Sequence, residues 1–178
     1  MKFEIRGKGT GVKMNQSYAE AGVKRKDTAA TMGLRILMFL VIFIGLFFIL
    51  LGQLFSYIGV VLIILVFFLY PRLSVEYEYV FVDGQLDFDR ITANSKRKTV
   101  LRIDFEQVEL MAPYDSPALD NYKHIQMEKK DFSSLNKDSK PYAIISSSGS
   151  KKLIILFEPS EKMLNIIKQK NTRKVVTY

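Results

Sequence analysis

Ile36-Leu-Met-Phe-Leu-Val-Ile-Phe-Ile-Gly-Leu-Phe-Phe-Ile-Leu-Leu-Gly52-Gln-Leu-Phe-Ser-Tyr-Ile-Gly-Val-Val-Leu-Ile-Ile-Leu-Val-Phe-Phe-Leu-Tyr70-Pro71 is a run of 36 residues without a charge, closed by Arg35 and Arg72. A bilayer core of about 30 Å takes roughly 20 helical residues. As one helix the run would be about 50 Å long, and a single span would have to tilt beyond about 40°. Two short spans fit if they are joined tightly. The middle of the run supplies the joint: Gly52-Gln53, Ser56-Tyr57 and Gly59 are its polar and turn-forming cluster. The reading is a helical hairpin, about Ala29–Leu51 and Leu54–Tyr70, with Arg35 reaching back to the interface and Pro71 ending the second helix. A buried soluble hairpin is disfavoured, because so small a chain has no core wide enough to hide it. Gly45 and Gly59 each lie seven residues from Gly52. Folding about Gly52 brings them to one depth, where small residues let backbones approach. Gly45, Gly52, Ser56 and Gly59 are the candidate helix-packing positions.

Flanking charge sets the expected orientation. Up to Arg35 there are eight cations against three acids, and the hairpin tip carries no lysine or arginine. The positive-inside rule then puts both termini in the cytoplasm of a multi-pass protein of the plasma membrane. A cleaved signal peptide fits poorly, since the apolar run starts late, is too long and lacks a small-residue cleavage site. Of the formal charge of +8, +5 lies in the leader and hairpin flank and +3 beyond it. Beside a membrane, such an excess points to anionic lipid. No nucleic-acid fingerprint accompanies it, so no nucleic-acid partner is expected. The chain has no cysteine, which excludes disulfides, thiol nucleophiles and cysteine-ligated metal.

Three regions follow. Residues 1–28 read as a flexible basic leader, with a short interfacial helix over Tyr18–Lys26 as the second reading; residues 29–71 are the hairpin. Residues 72–178 are long enough for one small domain with its own core. There the periodicity becomes two. Val75, Tyr77, Tyr79 and Phe81 share a face, with Glu76 and Glu78 on the other. Asp83-Gly84 is a hairpin signal, and a two-residue loop pairs Phe81 with Leu86, Tyr79 with Phe88 and Tyr77 with Arg90. A four-residue turn over Asn94–Arg97 would pair Leu86 with Phe105, Phe88 with Ile103 and Arg90 with Leu101. On the opposite face Glu78 sits beside Asp89, and Arg102 is expected to relieve that like-charge pair. A fourth strand carries Val108, Leu110 and Ala112. Tyr114–Tyr122 is a loop with room for one helical turn, and a weak strand lies between His124 and Lys130. Tyr142–Ser146 and Lys152–Glu158 are strands. The latter is apolar on both faces and needs cover on both. A helix over about 160–170, with Ser160 as N-cap and Met163, Leu164 and Ile167 as its stripe, covers one of them.

Seven strands and a terminal helix give a mainly β, PH-like barrel or sandwich, capped by that helix and preceded by the membrane hairpin. Glu76-Tyr-Glu-Tyr79, Val82-Asp-Gly84 with Leu86-Asp87, Ser95-Lys-Arg-Lys98, Glu109-Leu-Met-Ala-Pro113, Lys130-Asp-Phe-Ser-Ser134, and Phe157-Glu-Pro159 with Glu161-Lys-Met-Leu164 sharpen that order. Over about Leu34 to Val175 the chain resembles a family of small bacterial membrane proteins, a domain of unknown function with two membrane helices and a bacterial PH-like domain. The resemblance implies this architecture and a self-associating or adaptor role. It implies no catalytic residues and no phosphoinositide site.

The motifs that could carry chemistry have bland readings beside them. Lys96-Arg97-Lys98 is the sharpest charge cluster. Strand order returns it to the membrane side, where it is the candidate lipid-headgroup contact; otherwise it is a solvated hairpin tip. Glu76, Glu78, Asp87 and Asp89 could suggest a divalent cation, but strand spacing of this kind reads as a solvated face, and no metal is expected. His124 is the sole histidine. No triad signature surrounds any serine, and Gly7-Lys-Gly9-Thr-Gly11 lacks the strand–helix context of a phosphate loop. The sequence therefore predicts no enzyme, no cofactor and no identifiable small-molecule substrate. It predicts an interaction module in the lipid bilayer that binds a protein partner or itself, with anionic headgroups as a secondary contact. Pro113, Tyr114, Asp115, Leu119 and Tyr122 form the candidate partner loop, beside an open strand edge that can accept a peptide. The alternative is an accessory subunit of a membrane transporter or envelope complex that associates through its helices, in which Gln53 and Ser56 would matter.

Overall fold

The computed structural model describes residues 18–93, 96–148 and 151–177. The opening alternation of the leader and its Gly7–Gly11 motif lie outside them.

The apolar run folds as two antiparallel helices, α1 (Ala29–Leu50) and α2 (Gln53–Leu69), and α2 continues through a 3₁₀ turn at Tyr70–Leu73. Thr28 caps α1 by accepting a hydrogen bond from the Thr31 amide at 3.3 Å. The helices reverse at Gly52, whose φ of 120° is closed to residues with a side chain. Gly45 and Gly59 face each other so closely that a Cβ on Gly59 would sit 2.3 Å from the Gly45 carbonyl oxygen. Ser56 does not reach across: its hydroxyl donates to the Gln53 carbonyl at 2.7 Å, within its own helix. Large apolar side chains such as Phe43 and Phe67 stay exposed on the outside of the pair. Both helices are long and apolar enough to cross a membrane.

The leader differs from expectation. Tyr18–Lys24 is neither helix nor tail but a strand, β1, paired antiparallel with β2 (Val75–Val82) from Tyr18 opposite Val82 to Lys24 opposite Glu76. Ala19, Ala21 and Val23 turn inward, and Ala19 is fully buried. Short side chains suit that place at the sheet margin, yet alanine carries little strand preference of its own. The helical hairpin is thus inserted between two neighbouring strands of one sheet.

That sheet runs β1-β2-β3-β4, with β3 at Gln85–Thr92 and β4 at Lys96–Asp104. The second runs β5-β7-β8-β6, from β5 (Val108–Pro113), β6 (Glu128–Asp131), β7 (Tyr142–Ser148) and β8 (Lys151–Phe157). All pairings are antiparallel except β6 with β8. The two sheets do not close into a barrel; they stack as a sandwich, and β1 makes the described strands eight rather than seven. Between them lies an aromatic core in which Tyr79 stands edge-on to Phe88 and Phe157 and Phe132 stacks on Phe88. The helix α3 (Glu161–Lys170), capped by Ser160, adds Met163 and Ile167 to that core. The Tyr79 hydroxyl donates to the Phe132 carbonyl at 2.5 Å, and burial pushes its pKa up.

The β2–β3 register is the one read from the Asp83-Gly84 turn. The β3–β4 register is not. Leu86 faces Ile103, Phe88 faces Leu101 and Arg90 faces Lys98, with a bulge between Phe88 and Asp89. The strands already pair at Thr92–Lys96, so the turn is shorter than expected; the bulge restores one residue, and the register beyond it stays two residues from the expected one. Phe105 falls past the strand end, in a turn pinned by its amide to the Gly84 carbonyl at 2.9 Å, and still packs edge-on against Phe81.

Candidate functional site: an apolar pocket on the outer face of the second sheet

Strand β8 needs cover on both faces, and the two covers differ. Leu153, Ile155 and Phe157 face the main core, where α3 lies. On the far side a second, smaller cluster joins Leu156 to Ala112, Leu119, Ala143 and Ile145. It is closed by the segment after Pro113. Tyr114 docks its amide on the Pro141 carbonyl at 2.9 Å. Ser116 accepts from the Ala118 amide at 3.3 Å and caps a 3₁₀ helix over Pro117–Tyr122, which drops Leu119 into the cluster.

The cover leaves a gap. A cavity of about 340 Å³ opens between this helix, Met127, and Ile145 and Ile154 of the sheet, with Tyr114 and Asp115 at its mouth. Its wall is mainly apolar, and a volume of this order suits a large side chain or small ligand. One flank is held by a polar network. Glu109 accepts from the Ser147 hydroxyl at 2.6 Å and from Lys152 Nζ at 2.9 Å. These partners, Ser147 first, hold the Glu109 carboxyl below its ordinary range. Burial, reinforced by Glu109, pushes the Tyr122 phenol up. Lys152 Nζ also lies 5.5 Å from the Tyr122 ring centre, and Lys129 Nζ lies 5.5 Å from that of exposed Tyr114.

Of the candidate partner loop, Tyr114, Asp115, Leu119 and Tyr122 line the pocket; Pro113 is buried at the end of β5, opposite Tyr142. Sequence reading missed Met127, Ile145 and Ile154, though the two-faced apolarity of β8 pointed to Ile154. The β5 edge is closed by the chain terminus: the Met111 amide donates to the Lys174 carbonyl at 2.7 Å and the Val176 amide to the Met111 carbonyl at 2.8 Å.

The basic cluster separates into three environments. Arg97 lies in β4, ion-paired to Glu78 and 4.0 Å from Asp89. It takes the role expected of Arg102, which instead grips Asp87 through two bonds of 2.6 Å. The shorter turn set Arg97 opposite Ile91 and, past the bulge, Arg102 opposite Asp87. Lys98 is exposed, and Lys96 lines a cleft beside the end of α2. Glu78, Asp87 and Asp89 thus have arginine neighbours, and no group of acidic or histidine side chains with metal-holding geometry occurs among the described residues. Ser146 donates to the Gln107 carbonyl at 3.3 Å.

No curated protein and no solved structure matches the chain. A family model described as a bacterial PH-like domain, DUF6106, matches residues 15–177, which takes in β1, the helical hairpin, both sheets and α3. The chain belongs to this bacterial PH-like domain family.

Proposed function

We propose that the chain is a membrane-held interaction module without catalytic activity. The helical hairpin fixes it in the bilayer, and the PH-like domain binds a protein partner or a second copy of itself, with anionic headgroups as a secondary contact. The observation that carries the reading is the unfilled apolar gap behind Tyr114, Leu119, Tyr122 and Met127. An apolar hollow with an exposed aromatic at its mouth and a short strand beside it fits a side-chain anchor on an extended peptide. The alternative, association with a transporter or envelope complex through the helices, would use Gln53 and the acceptor side of the Ser56 hydroxyl, which donates to the Gln53 carbonyl.

The test is photocrosslinking in native membranes, with a photoreactive phenylalanine at Tyr114 in the full-length chain and at exposed Lys137 as control. A discrete adduct from position 114, identified by mass spectrometry and lost in Met127→Lys, is the expected result. Equal yields from both positions, or an adduct indifferent to Met127→Lys, would overturn the reading.

A further inference from the structure

We infer that the cleft between the end of α2 and the β3–β4 turn holds the phosphate of an anionic phospholipid, with Arg72 and Lys96 as its two cations. The cleft has a volume of about 670 Å³ and combines two kinds of wall. Phe67, Phe68 and Pro71 give an apolar side continuous with the outer surface of the helical hairpin. Thr92, Ala93 and Lys96 give the other side, from the domain. The turn carries Ala93 at a φ of 54°, and this left-handed residue starts the short connection that brings Lys96 into the cleft beside the helix end.

The charges select the ligand. Arg72 lies over the Phe68 ring, 4.5 Å from its centre. Among the described residues neither Arg72 nor Lys96 is in a salt bridge, whereas Arg35 pairs with Asp27 at 2.5 Å and Arg97 pairs with Glu78. Both of these cations, neither of them ion-paired, border one cleft whose remaining wall is mainly apolar. A lipid satisfies both parts at once: phosphate oxygens meet the guanidinium and ammonium, and the acyl chain runs along Phe67. A free phosphate would leave the apolar wall exposed to water. The inference rests on the reading that α1 and α2 lie in a bilayer, since only then does the cleft sit at headgroup depth. It proposes, in place of the contiguous Lys96–Lys98 cluster, a pair drawn from two distant parts of the chain.

The full-length protein is reconstituted in phosphatidylcholine vesicles containing spin-labelled phosphatidylglycerol or spin-labelled phosphatidylcholine. The motionally restricted fraction of each label is read by electron paramagnetic resonance. Restricted phosphatidylglycerol should exceed phosphatidylcholine severalfold in the wild type. The preference should fall in Arg72→Gln and in Lys96→Gln, reach parity in the double variant, and stay unchanged in Lys98→Gln. Carbonate extraction of the same vesicles separates the two levels of failure: release of the wild type from the membrane sinks the bilayer reading and this inference with it. Full retention with a preference that survives the double variant, or with no preference in the wild type, sinks the lipid cleft alone. Displacement of the label by millimolar inorganic phosphate would show a phosphate site rather than a lipid site. Near-ultraviolet circular dichroism checks the fold of each variant; a double variant that lost both its fold and its preference is replaced by Arg72→Lys with Lys96→Arg, which should keep the preference.

Discussion

Glu109 shows how much one side chain can organise at the pocket. Ser147, Lys152 and Tyr122 all converge on its carboxylate. Its folded pKa lies below the ordinary value of 4.5. The ionised form is therefore the one the fold favours, and the stabilisation is fully present above that ordinary value and lost as pH falls through the depressed one. The group is largely solvated, so the effect is small, below about 1 kcal/mol. Thermal unfolding of the full-length chain in detergent, followed by near-ultraviolet circular dichroism, should show wild type above Glu109→Gln at neutral pH. The gap should close on acidification below the ordinary carboxylate pKa; a gap constant down to pH 3 would refute the assignment. At the same scale Arg97 shows what sequence spacing hides. The Glu78–Asp89 conflict was legible from the Asp83-Gly84 register, but its relief was assigned to Arg102, because that assignment counted from a four-residue turn and the strands already pair at Thr92 and Lys96.

Among the elements, β1 was the least legible. Its inward side chains are small, its partners lie 52 to 64 residues away, and nothing local distinguishes it from a basic tail. Strands β2, β5, β7 and β8 were readable because branched and aromatic residues alternate within each or fill them outright. The pocket was half-readable for a related reason. Its loop residues are contiguous in sequence, while Ile145, Ile154 and Met127 meet them only through packing. The role of β1 has a direct consequence. A fragment beginning at Leu73 lacks a strand of the first sheet and presents the unpaired edge of β2. Such a fragment should aggregate or bind hydrophobic dyes, and a peptide spanning residues 18–26 should restore a monodisperse species in size-exclusion chromatography. A fragment monomeric and cooperatively folded without the peptide would show that β1 is dispensable.

For the whole molecule, the helices are tied to the domain through the segment that precedes α1. The Arg25 amide donates to the Val75 carbonyl at 3.0 Å and the Lys26 amide to the Ser134 carbonyl at 2.7 Å; the Arg25 guanidinium also bonds the Tyr77 hydroxyl at 2.9 Å. The proposed orientation, drawn from the flanking cations, puts this junction on the cytoplasmic side. Since the chain has no native cysteine, Asp83→Cys supplies a single probe at an exposed turn. It should stay unlabelled by a membrane-impermeant maleimide in intact cells and react after permeabilisation. Labelling from outside without permeabilisation would reverse the orientation.

The insertion of the hairpin between β1 and β2 links biogenesis to folding. Ribosomal synthesis delivers β1 first, and its partner emerges only after both helices have left the exit tunnel. If one helix crossed the bilayer and the other failed, the two strands would be stranded in different compartments and the first sheet could not assemble. On the proposed reading that both helices lie in the bilayer, completion of that sheet is a parity check: it reports that the membrane was traversed an even number of times before the head was allowed to close.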